Sequence, residues 1–285
     1  MWRVWIVTLR AGIGAGWRAE LALDLERRPD LAFVEVVAES IDPARVPHAL
    51  HNLRARGIPT VVHGVGLSLG GAEPPSPARL SHLARLAEAL EAPLVSEHVA
   101  FVRAAGRESG HLLPVARHRE GLACLAENVR IAQRALPVPL ALENIACLFE
   151  WPDPEHTEAD FLAALLEATG APLLLDLANL HANVRNLGVD AGAFLDRIAG
   201  LPIAYVHAAG GVERGGLYHD THAHPLPDPV LALVTRATAR LGALPIMLER
   251  DDHFPDTAAL YAELDALGAA QARGLGQGPR ERHAG

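Results

Sequence analysis

Seven short apolar runs in this chain each stop on, or beside, a residue able to hold a metal ion. They read FVEVVAE to Glu39, TVVH to His63, PLVSEH to His98, PLALEN to Glu143, PLLLD to Asp176, IAYVH to His207 and PIMLE to Glu249. A strand that buries several aliphatic residues and then presents an imidazole or carboxylate points chemistry out of one end of a sheet. Repeated along one chain, the pattern describes a ring of strands with one polar, metal-binding face. Helical periodicity fills the gaps, as in Pro77–Leu90, where Leu80, Leu83, Leu86, Ala87 and Leu90 share one face.

Strands are expected near 3–9, 32–38, 58–63, 93–98, 138–143, 172–176, 202–207 and 245–249. Helices are expected near 17–28, 43–56, 77–90, 118–135, 157–169, 190–199, 228–241 and 257–267, with Thr157 as an N-cap. Strands that are aliphatic on both faces imply a parallel sheet covered by helices. Eight β-then-α units in a chain of 285 residues match the size of a (β/α)₈ TIM barrel. A doubly wound open sheet would gather its ligands at one crevice, whereas here nearly every strand contributes. The expectation is therefore one α/β barrel over 1–267, with its metal site at the C-terminal strand ends. Residues 268–285, which lack a periodic apolar face, are expected to be a disordered tail.

The formal charge of −9, without a basic stripe, argues against nucleic acid or an anionic membrane as partner. No run reaches the roughly 20 apolar residues of a membrane span. Two cysteines, Cys124 and Cys147, make no disulfide framework, so a cytoplasmic location is expected. Every basic residue is arginine, which excludes Schiff-base and P-loop chemistry; no nucleophile elbow is present either. Gly12-Ile13-Gly14-Ala15-Gly16 misses the spacing of a dinucleotide loop.

A single histidine at a strand end is more often a hydrogen-bonded core residue than a ligand. The carboxylates decide the matter. Glu143, Asp176 and Glu249 end apolar runs, and an unpaired buried charge costs several kcal/mol. Only Arg250 stands immediately beside one of them, so bound metal is the simplest compensation. Asp220-Thr221-His222, in the long segment 208–227, would place two further donors on one side of an extended backbone. Imidazole and carboxylate without thiolate suit iron, manganese or zinc. On this set alone, a zinc- or manganese-dependent hydrolase of the endonuclease type and a sugar isomerase stay open beside an oxidative enzyme.

The motifs GIGAGWR (12–18), FVEVVAES (33–40), HGVGLSLGG (63–71), VSEHVAF (95–101), LLP (112–114), LENI (142–145), DFLAALLEATGAPLLLDLAN (160–179), VHAAG (206–210), DTHAHP (220–225) and LERDDHFP (248–255) occur in one order. In that order they resemble the multinuclear non-haem iron-dependent oxidative enzymes, over about residues 11–267. The resemblance implies a TIM barrel of the xylose-isomerase-like kind with two or three irons of mixed Fe²⁺/Fe³⁺ state and O₂ as co-substrate. It implies oxidation of a residue, often cysteine, in a ribosomally made precursor peptide, delivered by a small separate partner protein.

Carried over by position, His63 and His98 would hold one ion. Glu143 would bridge it to a second, completed by Asp176, His207 and Glu249. Asp220, His222 and Asn179 would hold a third. Glu39, Asn144, His181, His224 and Arg250 are candidates for substrate contact or for supporting the ligands. The chain departs from the family pattern at Ala178, where the family carries Asn, at His181, where it carries an aromatic, and at Gly211, where it carries a second His. These departures bear on substrate choice more than on metal binding.

Overall fold

Short aliphatic runs separated by helix-length stretches pair in parallel, because each connection must cross a face of the sheet. In the computed structural model, which describes residues 9–277, eight such strands close into a barrel. The chain opens with β1 (Gly12–Gly16), α1 (Ala22–Arg27), β2 (Val34–Val37), α2 (His48–Ala55), β3 (Thr60–Gly64), α3 (Pro77–Leu90) and β4 (Val95–His98). A hairpin follows, β5 (Ala100–Ala104) and β6 (Arg107–Pro114), and then α4 (Arg119–Ala135), β7 (Leu140–Glu143), α5 (Glu158–Thr169) and β8 (Leu173–Asp176). Helices α6 (Leu177–Leu187) and α7 (Ala191–Ile198) lead to β9 (Ile203–Ala208) and a second hairpin, β10 (Gly210–Arg214) and β11 (Leu217–His224). The last elements are α8 (Asp228–Leu241), β12 (Pro245–Leu248) and α9 (Thr257–Gln277). Around the barrel the order is β1-β12-β9-β8-β7-β4-β3-β2, all neighbours parallel. The expected α/β TIM barrel is what the chain forms.

Side chains alternate across a strand, and that period of two builds the interior. A buried apolar plug contains Phe33, Val61, Leu94, Ala141, Leu174, Tyr205 and Met247. Two residues further along the same strands stand Glu35, His63, Ser96, Glu143, Asp176, His207 and Glu249, all buried. The plug is thus the floor under a polar layer at the C-terminal strand ends. A larger cluster of strand and helix residues, including Val36, Val62, Leu86, Leu142, Leu175 and Leu264, seals the helices onto the outside of the barrel.

The structure differs from these expectations in the C-terminal tail and adds detail at the first strand, after β8 and in the long segments. The expected first strand at 3–9 falls mostly outside the described residues, and the barrel is closed instead by the glycine-rich Gly12–Gly16. Glycine is needed there: a Cβ on Gly14 would lie 2.6 Å from the Phe33 ring. Helix α6 was not expected. It starts directly off β8, with Asp176 Oδ1 accepting from Asn179 N (2.7 Å) as its N-cap. The tail expected from 268 is helical through Gln277, with Leu264, Leu267 and Ala270 buried on one face of α9; residues 278–285 lie outside the described part. The long segments after β4 and β9 are hairpins. Each turns through two positive-φ residues, Ala105-Gly106 and Gly215-Gly216, a geometry matched to strand twist. The N-cap expected at Thr157 is present, its hydroxyl accepting from Asp160 N.

Candidate metal centre

Glu143 ends β7 with its carboxylate in the middle of the polar layer. Its Oε2 lies 3.5 Å from His63 Nε2 and 3.3 Å from His98 Nε2, while Oε1 lies 3.6 Å from His207 Nδ1. His207 Nδ1 also faces Glu249 Oε2 at 3.1 Å and Asp176 Oδ2 at 3.8 Å. Donors placed about 2.1 Å from a common ion, at tetrahedral or octahedral angles, are roughly 3.0–3.4 Å apart. The spacings observed are close to that. Among the described residues, four overlapping groups could hold an ion: His63 with His98 and Glu143; Glu143 with Asp176 and His207; Asp176 with His222 and Glu249; and Glu35 with His207 and Glu249.

Hydrogen-bond satisfaction points the same way. Among the described residues, the buried atoms without a partner include Glu143 Oε2, Asp176 Oδ2, His207 Nδ1 and Asp220 Oδ1. Buried polar atoms are normally paired, so orphans on four strands are what a site able to hold a cation would leave.

The electrostatics describe the metal-free site. Burial opposes the charge on His98, yet Glu143 and Glu97 outweigh it and hold its pKa up at about 9. Burial would also raise Glu143, but His98, His207 and His63 pull it down to about 2. Burial, with Asp220 and Glu143 alongside, pushes Asp176 well above the usual carboxylate range. The layer thus holds more carboxylates than its histidines can neutralise.

The outward nitrogen of each candidate histidine is committed to the protein, the arrangement that fixes ring orientation in metal sites. His63 Nδ1 lies 2.8 Å from Ser96 Oγ, and His98 Nδ1 lies 3.3 Å from Glu97 Oε1. His207 Nε2 lies 3.0 Å from Glu35 Oε2, and His222 Nδ1 lies 2.8 Å from Asp251 Oδ2. Glu97 also accepts from Leu67 N (2.8 Å) and so ties the glycine-rich 63–77 loop to β4. Arg18 pairs with both Asp251 and Glu249.

Most of the expected ligands converge. His63, His98, Glu143, Asp176, His207, His222 and Glu249 lie in the groups above, and Asp220 Oδ2 sits 2.5 Å from His222 Nε2. Asn179 instead turns its amide to Asn144 O (2.9 Å) and to the Glu143 carboxylate (Oε1, 3.4 Å). Asn144 clamps β8 by exchanging hydrogen bonds with the Asp176 backbone, 2.9 Å each. Glu39 accepts from Val65 N and steadies the loop. His224 bonds to Thr221 (2.9 Å). Arg250, one residue past Glu249, faces the other way and bonds to Glu263 at 2.6 Å, as strand alternation requires.

Two of the departures from the family pattern meet each other. His181 packs edge-on against Tyr218 (4.7 Å between centroids), and Tyr218 Oη accepts from Gly211 N at 2.9 Å. A side chain at 211 would run into the His219 carbonyl oxygen and meet the Tyr218 ring at 2.7 Å, so this hairpin leaves no room for a histidine there.

Glu35, Ser96, Glu97, Tyr205, Arg18 and Asp251 were not singled out as ligands or supports in the sequence. Glu35 carries a usable signal, since it stands two residues past Phe33 inside the strand; Glu39 has the same parity but lies beyond β2, in the turn Ala38–Ser40.

Cys147 is no thiolate donor to this centre. It packs with Ala100 and Ile145, and burial, with Glu158 nearby, pushes its thiol up to about 12. The thiol is therefore held protonated, the inert state of a buried structural cysteine. At pH 8, alkylation of the native protein is expected to spare Cys147 and to label it only after unfolding. Rapid native labelling, mapped by peptide mass, would contradict its placement.

The model of the RiPP precursor modification enzymes MbnB/TglH/ChrH matches residues 12–272. A UPF0276 protein of Streptomyces avermitilis is 52% identical over 90% of this chain, a match that spans 54% of the relative's own length. A UPF0276 protein of Chromobacterium violaceum is 36% identical, over 97% of this chain and 99% of its own. Among solved structures, an L-ribulose 3-epimerase superposes with a TM-score of 0.61 at 19% identity, covering 96% of this chain and 100% of that one. A D-psicose 3-epimerase of Clostridium cellulolyticum H10 gives 0.59 at 13% identity, covering 93% and 99%. At such identities these two share the barrel only. Taken with the strand-end donors, the match over nearly the whole barrel means that the chain belongs to the MbnB/TglH/ChrH family of RiPP precursor modification enzymes.

Proposed function

We propose that this chain is a multinuclear iron enzyme that uses O₂ to oxidise a residue, cysteine first among the candidates, of a ribosomally synthesised precursor peptide. The observation that carries the reading is Glu143, one buried carboxylate whose two oxygens face different histidines. That is the geometry of a bridge between adjacent ions. His63 and His98 would hold one ion; Asp176, His207 and Glu249 a second; Asp220 and His222 a third, with Asn179 beside the bridge. Iron bound there would supply one-electron steps and O₂ activation, which imidazole and carboxylate ligands support.

The chain's own residues do the rest. Glu97, Glu35, Ser96 and Asp251 orient the rings. The floor of Phe33, Val61, Leu94, Leu174 and Met247 closes the bottom of the site, so a substrate must enter from the hairpin side. On that side a groove of about 380 Å³ runs past Glu39, Val65, Arg79, Val102 and His111, and is a candidate seat for the peptide. A small separate protein would deliver the peptide. No described helix is long and apolar enough to cross a membrane.

Elemental analysis of anaerobically purified protein, with Mössbauer spectroscopy of an iron-57 preparation, tests the reading. Two or three irons per chain, with ferrous and ferric signals together, are expected. Zinc or manganese alone, with no oxidation of peptide after iron reconstitution, would move the assignment to a hydrolase or isomerase, which the same donors also suit.

A further inference from the structure

Beneath the candidate ligands, the hydrogen bonds that orient His63 and His207 join into one continuous line. His63 Nδ1 lies 2.8 Å from Ser96 Oγ, and Ser96 Oγ lies 2.7 Å from Tyr205 Oη. Tyr205 Oη donates to Glu35 Oε2, and the same oxygen lies 3.0 Å from His207 Nε2. Ser96, Tyr205, Glu35 and His207 are wholly buried and His63 nearly so, which leaves water no part in the line. It joins β3, β4, β9 and β2, and it ends on histidines that face opposite oxygens of Glu143.

The protons in this line can be counted. An ionised Glu35 only accepts, so Tyr205 and His207 both donate to it. Tyr205 has then spent its one proton and accepts from Ser96, and Ser96 in turn accepts from His63 Nδ1–H. Run in reverse, from a protonated Glu35, the line would end with Ser96 donating to His63 Nδ1. His63 would then carry its proton on Nε2, the nitrogen facing Glu143 and His98, and could not ligate.

We propose that Glu35 is a positioning residue for two metal sites at once: it holds the proton of His207 on Nε2 directly and that of His63 on Nδ1 through Tyr205 and Ser96. This rests on the reading above that His63 and His207 are ligands. It also removes Glu35 from the ligand set, although Glu35 lies close enough to His207 and Glu249 to form a donor group with them. His207 meets Glu249 with Nδ1 and Glu35 with Nε2, on opposite sides of the ring. One ion cannot occupy both sides, and an ion on the Nε2 side would displace the proton that Glu35 accepts.

The test uses the full chain, stripped of metal, labelled with ¹⁵N-histidine and reloaded with zinc, which is diamagnetic. Long-range ¹H–¹⁵N spectra then show which nitrogen of each ring keeps its proton. His63 is expected as the Nδ1–H form and His207 as the Nε2–H form. Glu35→Gln removes the shared charge and is expected to weaken zinc binding at both histidines by about 10–100-fold. Tyr205→Phe breaks only the arm to His63, so the His63 signals alone should lose zinc at limiting metal while His207 keeps its Nε2 proton.

Zinc uptake with His207 protonated on Nδ1, or with His63 protonated on Nε2, overturns the relay, and so does unchanged zinc affinity in both variants. The spectra of the unsubstituted protein decide the point even if a variant fails to fold. Should that protein take up no zinc at either ring, the metal reading itself fails and the relay with it.

Discussion

Glu143→Ala is expected to leave no more than one metal ion per chain and to lower peptide oxidation by more than about 100-fold, beyond the usual 10–100-fold cost of losing an outer hydrogen-bond partner. Among the described residues, Glu143 is the only carboxylate whose two oxygens address both the His63–His98 pair and His207. Removing it takes a donor from two sites in one step. The barrel should survive, because Ala141 and Leu142 hold β7 in the core and the β4–β7 and β7–β8 pairing is backbone. Glu143→Gln separates charge from shape: it fills the same space, yet cannot bridge two cations with a negative charge. Metal analysis of both variants, beside circular dichroism to check the fold, decides the matter. A full metal complement in Glu143→Ala would end the bridging assignment. His98→Ala should be milder and local, since its ring serves one group only.

Residues such as these show what could be read from the sequence and what could not. Glu143, Asp176, His63, His98, His207 and Glu249 announced themselves because each closes an aliphatic run, and the strand alternation that buries the run also aims its last residue inward. Strand parity turns Arg250 away from the site, but it does not separate Glu35 from Glu39, which share it; Glu35 belongs to the layer because it lies within β2, whereas Glu39 follows the strand in the turn Ala38–Ser40. The first strand escaped because its defining residues are glycines, and what they accommodate is the Phe33 ring, which no local pattern reveals. Helix α6 escaped because Asp176 is both strand end and N-cap, so no turn separates the elements. Tyr205 has no local signal; only the closed barrel brings its hydroxyl to Ser96, 109 residues earlier, and to Glu35, 170 residues earlier.

Asp176→Asn is expected to make the metal-free protein more stable and the metal-loaded protein less so. In the metal-free site, burial, Asp220 and Glu143 raise the Asp176 pKa, and Oδ2 has no partner. An acid whose pKa is higher folded than unfolded costs nothing below the unfolded value, since both states are then protonated. Between the unfolded and folded values the unfolded state ionises while the folded state keeps its proton, so stability falls with rising pH until the folded value is reached. Asparagine keeps the cap on α6, because one oxygen still accepts from Asn179 N, and it carries no charge to ionise. The variant should therefore match the unsubstituted protein near pH 4 and exceed it at pH 8, by the ~1–3 kcal/mol typical of an unsatisfied buried group. With metal the order reverses. An ion present at 1,000 times its Kd adds about 4 kcal/mol to the native state, roughly 8 °C or more in Tm for a domain of this size. Asparagine, a weak neutral ligand, should forfeit at least half of that gain. Thermal melts with and without chelator, at both pH values, check all four corners. If the variant gains as much from metal as the unsubstituted chain, Asp176 is a cap and not a ligand.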